Sequence, residues 1–163
     1  MRRMTQPSWT PLALVKVDAK PEHDALWNQA IDYVPPSRLL RLRIVDQDSA
    51  KKSVATKWNL NDTADCGPNG LPASSTKTAL LCTSASQGAL IGKLGGSSAD
   101  LPDSSQPTAP WGTSKKVFPV GSYCVFALAS TDSGPLFLTM NDGYDAFKSH
   151  AGSLYVQIDV AAL

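Results

Sequence analysis

Charge is scarce in this 163-residue chain: Asp, Glu, Lys and Arg make up 18% of it, and the formal net charge is +1. That fraction lies below the usual quarter, so Ser, Thr, Asn and Gln must supply much of the surface. A nucleic-acid groove needs Lys and Arg clustered against phosphate. Here Arg2-Arg3, Arg38/Arg41/Arg43, Lys51-Lys52 and Lys115-Lys116 form short, scattered groups, which argues against nucleic acid as a partner. Cysteine is equally sparse. Cys66, Cys82 and Cys124 are odd in number and none belongs to a CxxC pair, so a disulfide framework is not expected and one bridge, such as Cys66–Cys82, is the most the chain could hold. Only His23 and His150 could join them around zinc, and no ligand spacing of that kind is present.

Long apolar runs are missing too. None reaches the roughly 18 residues of a membrane span, so membrane insertion is not expected. The opening MRRMTQPSWTPLALVKV carries two arginines, but Pro7, Pro11 and Lys16 interrupt any secretory core. The expectation is a cytoplasmic protein, or one released without a cleaved leader, a virion component included. Catalytic signatures are also lacking. There is no GxSxG elbow for a nucleophilic serine. Glycines crowd residues 88–96, but Lys93 is followed by Leu94, which breaks the phosphate-loop order, and no GxGxxG occurs. An enzyme is not expected.

What is present is a series of short strand patterns. At 39–45, Leu40, Leu42 and Ile44 alternate with Arg41 and Arg43, the pattern of a strand with one wet face. At 134–158, a run around Leu136, Phe137 and Leu138 is followed by the turn signal Asn141-Asp142-Gly143. A polar loop then leads to Gly152, and Leu154, Val156 and Ile158 alternate with Ser153, Tyr155 and Gln157. Residues 14–17, 88–96 and 123–129 read as further strands. Residues 22–32 fit either a helix, with Leu26 and Ala30 one turn apart, or a strand carrying Trp27, Gln29 and Ile31 on one face; Pro35-Pro36 ends the element in either case. Residues 46–79 and 97–114 hold no long periodic element, and the first contains the turn Cys66-Gly67-Pro68-Asn69-Gly70. Trp27, Trp58 and Trp111 are expected in packing roles.

The length suits one domain. Residues 1–13, with Pro7 and Pro11, are expected to form an extended arm whose Trp9 docks onto the body or a partner, and 14–163 to form a single domain. Short strands, frequent turns and no βαβ period predict an all-β fold, a small antiparallel jelly-roll β-sandwich of about eight strands. The richest group of candidate ligands lies in one loop: Asn141, Asp142, Gly143, Asp145, Ser149 and His150.

Several of these segments, in order, resemble the PA-IL-like (LecA-type) galactose-binding bacterial lectin domain. They are the tryptophan strand, proline turn and LLRLRIV of 27–45, the Gly67-Pro68-Asn69-Gly70 turn and the Gly88-Ala89-Leu90-Ile91-Gly92-Lys93-Leu94-Gly95 strand. The Phe118–Gly121 turn, Asn141-Asp142 and the closing Gly152-Ser153-Leu154-Tyr155-Val156-Gln157-Ile158 complete the set. The resemblance covers residues 14–160 and favours a strand for 27–34.

It implies a non-catalytic, lectin-like module in which calcium on the loop bridges sugar hydroxyls, with Asp142 as the calcium aspartate and Gly143 where a sugar contact falls. Calcium takes six to eight oxygens. The asparagines usual before the closing glycine-serine are Ser149 and His150 here, and the loop threonine is Ala146. Imidazole is a poor ligand for so hard a cation.

Two functional readings follow. In the first the chain is a carbohydrate-recognition module with a glycan partner and ligand groups exposed around Asp142. In the second it is a structural or accessory β-sandwich subunit of a larger assembly, a virion or multi-subunit complex, that has lost sugar binding and buries that loop, or residues 1–13, against a neighbour. An oligomer fits either.

Overall fold

The computed structural model of the chain describes residues 6–22, 25–45, 58–60, 64–72, 80–96, 117–130 and 132–163. Trp111 and His23, singled out from the sequence, lie outside them. The strands in chain order are β1 (Thr10–Asp18), β2 (Asn28–Val34), β3 (Arg38–Ile44), β4 (Trp58–Leu60), β5 (Ala64–Cys66), β6 (Leu90–Leu94), β7 (Val117–Pro119), β8 (Tyr123–Ala127), β9 (Gly134–Met140) and β10 (Ala151–Ala162). A 3-10 helix, Tyr144–Ser149, sits between β9 and β10.

All pairings are antiparallel. One sheet runs β1-β10-β3-β8, with the hairpin β4-β5 added where β4 meets Ala151 and Gly152 at the start of β10. The other runs β2-β9-β6-β7. Apart from the hairpins β4-β5 and β6-β7, neighbouring strands are distant in sequence and, the step from β3 to β4 aside, successive strands lie in opposite sheets. This is the strand order of a jelly roll, two Greek keys wrapped into a sandwich. The expected fold is therefore the observed one, with the short β4-β5 hairpin as an addition that residues 46–79 did not announce.

The period-2 patterns place the core. Leu40 and Leu42 from β3, Leu154, Val156 and Ile158 from β10, and Val17 from β1 face Leu90 and Leu94 from β6, and Leu136, Leu138 and Met140 from β9. Gly92 sits among them because a side chain would not fit: a Cβ there would lie 2.7 Å from the Phe118 ring. The segment at 22–32 resolves as a strand from Asn28, with Leu26 and Trp27 packed just before it. Helix propensity is a weak prior and tertiary pairing overrides it.

The four-stranded sheet is covered on its far side as well. There Leu26, Trp27, Cys82, Ile91, Phe137 and Phe147 form a second cluster. The ammonium of the buried Lys93 lies over the rings of Trp27 and Phe137, at 5.0 and 4.8 Å, an arrangement that offsets part of its desolvation. All five residues of β6 are buried for this reason.

One boundary differs from the sequence expectation. β1 begins at Thr10, so residues 10–13, read as the end of an arm, belong to the sheet. Pro11 is tolerated because the register shifts between Pro11 and Ala13 and, among the described residues, β1 pairs only with β10. Trp9, just before it, stacks on Arg41 at 4.5 Å from ring centre to guanidinium. Cys66, Cys82 and Cys124 are free thiols, so Cys66 and Cys82 form no bridge.

Candidate functional site

The loop between β9 and β10 brings together the residues that the sequence nominated. Asn-Asp-Gly ends β9, and Asp142 begins as a turn cap: its Oδ1 accepts the Gly143 N–H at 2.7 Å. The 3-10 helix then lifts the chain away and returns it at His150. The imidazole reaches back across the loop, its Nε2 2.9 Å from Asp142 Oδ2 and its Nδ1 3.1 Å from the carbonyl oxygen of Ala19, just past β1. Gln87, from the turn before β6, donates to Asp142 Oδ1 at 2.9 Å. The His150 and Asp142 side chains are 0% and 1% exposed.

Asn141 is committed to the same end of the sandwich in another way. Its Oδ1 accepts the Cys82 N–H at 2.9 Å, and its Nδ2 faces the carbonyl oxygens of Cys82, Ala85 and Ser86 at 2.9, 2.9 and 3.1 Å. Its backbone joins the Gly88–Ala89 turn, accepting from Gly88 N at 2.7 Å and donating to Ala89 O at 2.8 Å. Asn141 is fully buried.

Among the candidate ligand residues, Asn141, Asp142, Gly143 and His150 are buried and Ser149 is exposed. The Ser149 hydroxyl donates to Ala146 O at 3.0 Å. Asp145 lies within the 3-10 helix. The structure brings Asp142 and His150 together, and both are buried where the lectin reading expected exposed ligand groups. Sequence reasoning missed Gln87, which is 55 residues from Asp142 in sequence and carried no local signal.

Could this loop hold calcium? The cation needs oxygen lone pairs free to converge. Asp142 Oδ1 already meets two N–H donors, Oδ2 faces the imidazole, the Asp142 carbonyl accepts from Leu81 N at 3.2 Å, and Asn141 Oδ1 meets Cys82 N. Nitrogen donors occupy the positions from which a metal would draw oxygen. The residues as arranged do not fit the ion. Among the described residues no cluster of three or more His, Cys, Asp or Glu offers another metal site.

A second polar cluster lies on the outer face of the six-stranded sheet. Arg41 and Arg43, read from the sequence as a wet face, converge on Asp159 of β10. Arg41 Nε and Nη2 approach its Oδ2 at 2.9 and 2.8 Å, and Arg43 Nε approaches at 3.3 Å. Asp159 is 1% exposed, so the acid is nearly sealed beneath its partners.

Asp142 and Asp159 carry a shared pH consequence. Burial pushes each carboxyl up. Hydrogen bonds from His150, the Gly143 N–H and Gln87 outweigh this at Asp142, and those from Arg41 and Arg43 outweigh it at Asp159, so both end below the usual carboxylate range. A depressed acid stabilises the fold above its unfolded pKa, about 3.9, and that contribution disappears as pH falls through the lower folded value. Stability in urea titrations is expected to hold near neutrality and to fall as the pH is taken below about 4. An Asp159→Asn variant is expected to be less stable at neutral pH and to lose less on acidification; an unchanged acid slope would show that the arginines do not hold this carboxyl down.

No protein-family model matches the chain, and no curated protein does. Among solved structures it is similar to one described as the EclA N-terminal domain, a PllA-like lectin. The likeness covers 92% of this chain and 97% of that one, with a TM-score of 0.56 and 18% identity. The likeness shows the fold: an antiparallel jelly-roll sandwich similar to that of this lectin domain, the fold that the sequence resemblance implied.

Proposed function

We propose that this chain is a non-catalytic carbohydrate-recognition module, lectin-like and independent of calcium at Asp142. The observation that carries this reading is the match of nearly the whole chain to a lectin sandwich. Fold alone does not fix function, so the site must supply the rest. Sealing of the Asp142–His150 pair supports the non-catalytic reading, because a general acid or base must come within hydrogen-bond reach of its substrate. The exposed rim of the loop, Lys148 and Ser149 on the 3-10 helix, is where direct hydrogen bonds to sugar hydroxyls would form. The buried residues beneath it hold that rim in place.

A second reading has its own support. Asn141, Asp142 and His150 are buried within the chain's own fold, out of reach of a sugar, which suits a structural subunit that keeps the sandwich and has lost sugar binding. Its partner would be a protein, in a virion or another multi-subunit assembly.

A glycan array that includes galactosides, run in calcium and again in EDTA, separates these readings. The lectin reading expects one set of bound glycans under both conditions, with affinity reduced several-fold by a Lys148→Ala/Ser149→Ala double variant. Binding abolished by EDTA would sink calcium independence. No binding to any glycan would leave the accessory-subunit reading.

A further inference from the structure

We infer that the outer face of the six-stranded sheet is itself a binding surface, at which Arg43, with Arg41 beside it and Tyr123 as a platform, takes the carboxylate of an acidic sugar residue. The strand registers bring these groups together. Asp159 of β10 lies opposite Arg41 of β3, and Gln157 opposite Arg43. Arg43 in turn lies opposite Tyr123 of β8. The residues that alternate with them, Leu40, Leu42, Val156 and Ile158, are buried in the core, so these side chains share the face turned to solvent.

The charges on that face do not balance. Arg41 Nε and Nη2 and Arg43 Nε all converge on one oxygen, Asp159 Oδ2. The other oxygen, Oδ1, accepts from Gln157 Nε2 at 3.2 Å. On β1, Lys16 and Asp18 pair at 2.8 Å and cancel. Two guanidiniums against one carboxylate leave a surplus of one positive charge. Arg41 lies under the Trp9 ring and its side chain is 23% exposed, while that of Arg43 is 44% exposed. Among the described residues, the Nη1 and Nη2 groups of Arg43 meet no acceptor. A guanidinium held at Nε and open at its terminal nitrogens presents the planar fork that a carboxylate accepts side by side. One arginine would be enough to pair with the acid. The second adds like-charge repulsion, which an arriving anion relieves.

The size of the surplus selects the ligand. One positive charge matches one carboxylate, whereas an acidic peptide run or a phosphate backbone calls for a row of cations. Tyr123 is 60% exposed, and a phenol offers an apolar ring and a polar tip to a partner that is part apolar and part hydroxyl. A uronic acid or a sialic-type sugar has both features. The choice of a sugar rests on the carbohydrate-recognition reading. The site does not, because it lies on the sheet face and shares no residue with the loop rim at Lys148 and Ser149.

The test is a titration of the whole nitrogen-15-labelled chain at low ionic strength with galacturonate oligomers, sialyllactose, neutral lactose and poly-glutamate. An acidic sugar is expected to shift the Arg43 Nε signal and the Arg43 and Tyr123 amides, and which of the two does so tells uronic from sialic acid. Lactose is expected to leave these signals in place, and added salt to weaken the acidic sugar. Arg43→Gln, which leaves Arg41 on Asp159, is expected to raise the dissociation constant about tenfold or more, and Tyr123→Ala to raise it several-fold. The inference is overturned if lactose binds this face as well as the acidic sugars do, if Arg43→Gln leaves their affinity unchanged, or if neither acidic sugar shifts these signals. Tighter binding of poly-glutamate here would assign the face to an acidic protein and overturn it too. Sugar shifts confined to Lys148 and Ser149 would overturn this inference and keep the carbohydrate reading; no shift from any sugar at either place would remove both. Should a variant misfold, the comparison of acidic with neutral sugar on the unaltered chain still decides.

Discussion

Replacing Asn141 with alanine is expected to destabilise the protein by about 3 kcal/mol, the sum of several buried polar groups left without partners at roughly 1–3 kcal/mol each and partly relieved by relaxation. The cost comes from the other side of the contact. Alanine leaves the Cys82 N–H and the carbonyl oxygens of Cys82, Ala85 and Ser86 facing an emptied pocket. Chemical denaturation of the purified variant measures it. Asn141→Asp separates hydrogen bonding from packing. It has nearly the same size but turns a donor into an acceptor against three carbonyl oxygens, so it is expected to be at least as destabilising as alanine. An alanine variant within about 1 kcal/mol of the parent, the usual range for a single net hydrogen bond, would show that this side chain does not anchor the 82–86 turn.

The second large effect is expected at Trp58. Its ring is 1% exposed, and its indole N–H donates to Gly88 O at 2.7 Å. Truncation to alanine empties the pocket beside β5 and β6 and is expected to cost about 3–5 kcal/mol. Gly88 itself is packed tightly beside this ring: it has a positive φ of 79°, and a Cβ there would lie 2.6 Å from Cys66 Sγ. Because Gly88 also donates its N–H to Asn141 O, the two sites share a partner. The Trp58→Ala/Asn141→Ala double variant is expected to lose less than the sum of the singles, by about 0.5 kcal/mol or more. Strict additivity would mean that Gly88 does not couple them.

How much of this was readable in advance follows from the range over which each interaction acts. Leu40, Leu42 and Ile44, and Leu154, Val156 and Ile158, declare their faces by local alternation, and all but the half-buried Ile44 are fully buried. A two-residue period needs no knowledge of the rest of the chain. The turn at Gly67-Pro68-Asn69-Gly70 was equally local: Gly70 N donates to Gly67 O at 2.9 Å. The hairpin β4-β5 was not legible because three-residue strands are too short to show a period.

The site was legible only as a list of residues. That Asp142 caps its own turn is local chemistry. That its second oxygen faces His150 depends on the loop returning, and that Gln87 joins them depends on two sheets closing. Asp159 shows the same limit from the other side. Between Ile158 and Val160 it gives no hint that Arg41 and Arg43 lie on the neighbouring strand. Arginines on a strand's wet face read as solvent-facing until the sheet supplies their acid.

β10 also bears on synthesis and aggregation. It is the shared neighbour of β1 and β3, with Thr10 opposite Val160 and Leu42 opposite Ile158. Both partners emerge from the ribosome long before the strand that will lie between them. Until then each presents an unsatisfied backbone edge, and β3 also carries Leu40 and Leu42, apolar side chains with no sheet yet to cover them. Pairings this distant in sequence form slowly, and bare strand edges invite intermolecular pairing while they wait. The arginines of β3 then serve the nascent chain as well as the finished one: flanking charge keeps a naked hydrophobic strand from finding a second copy of itself.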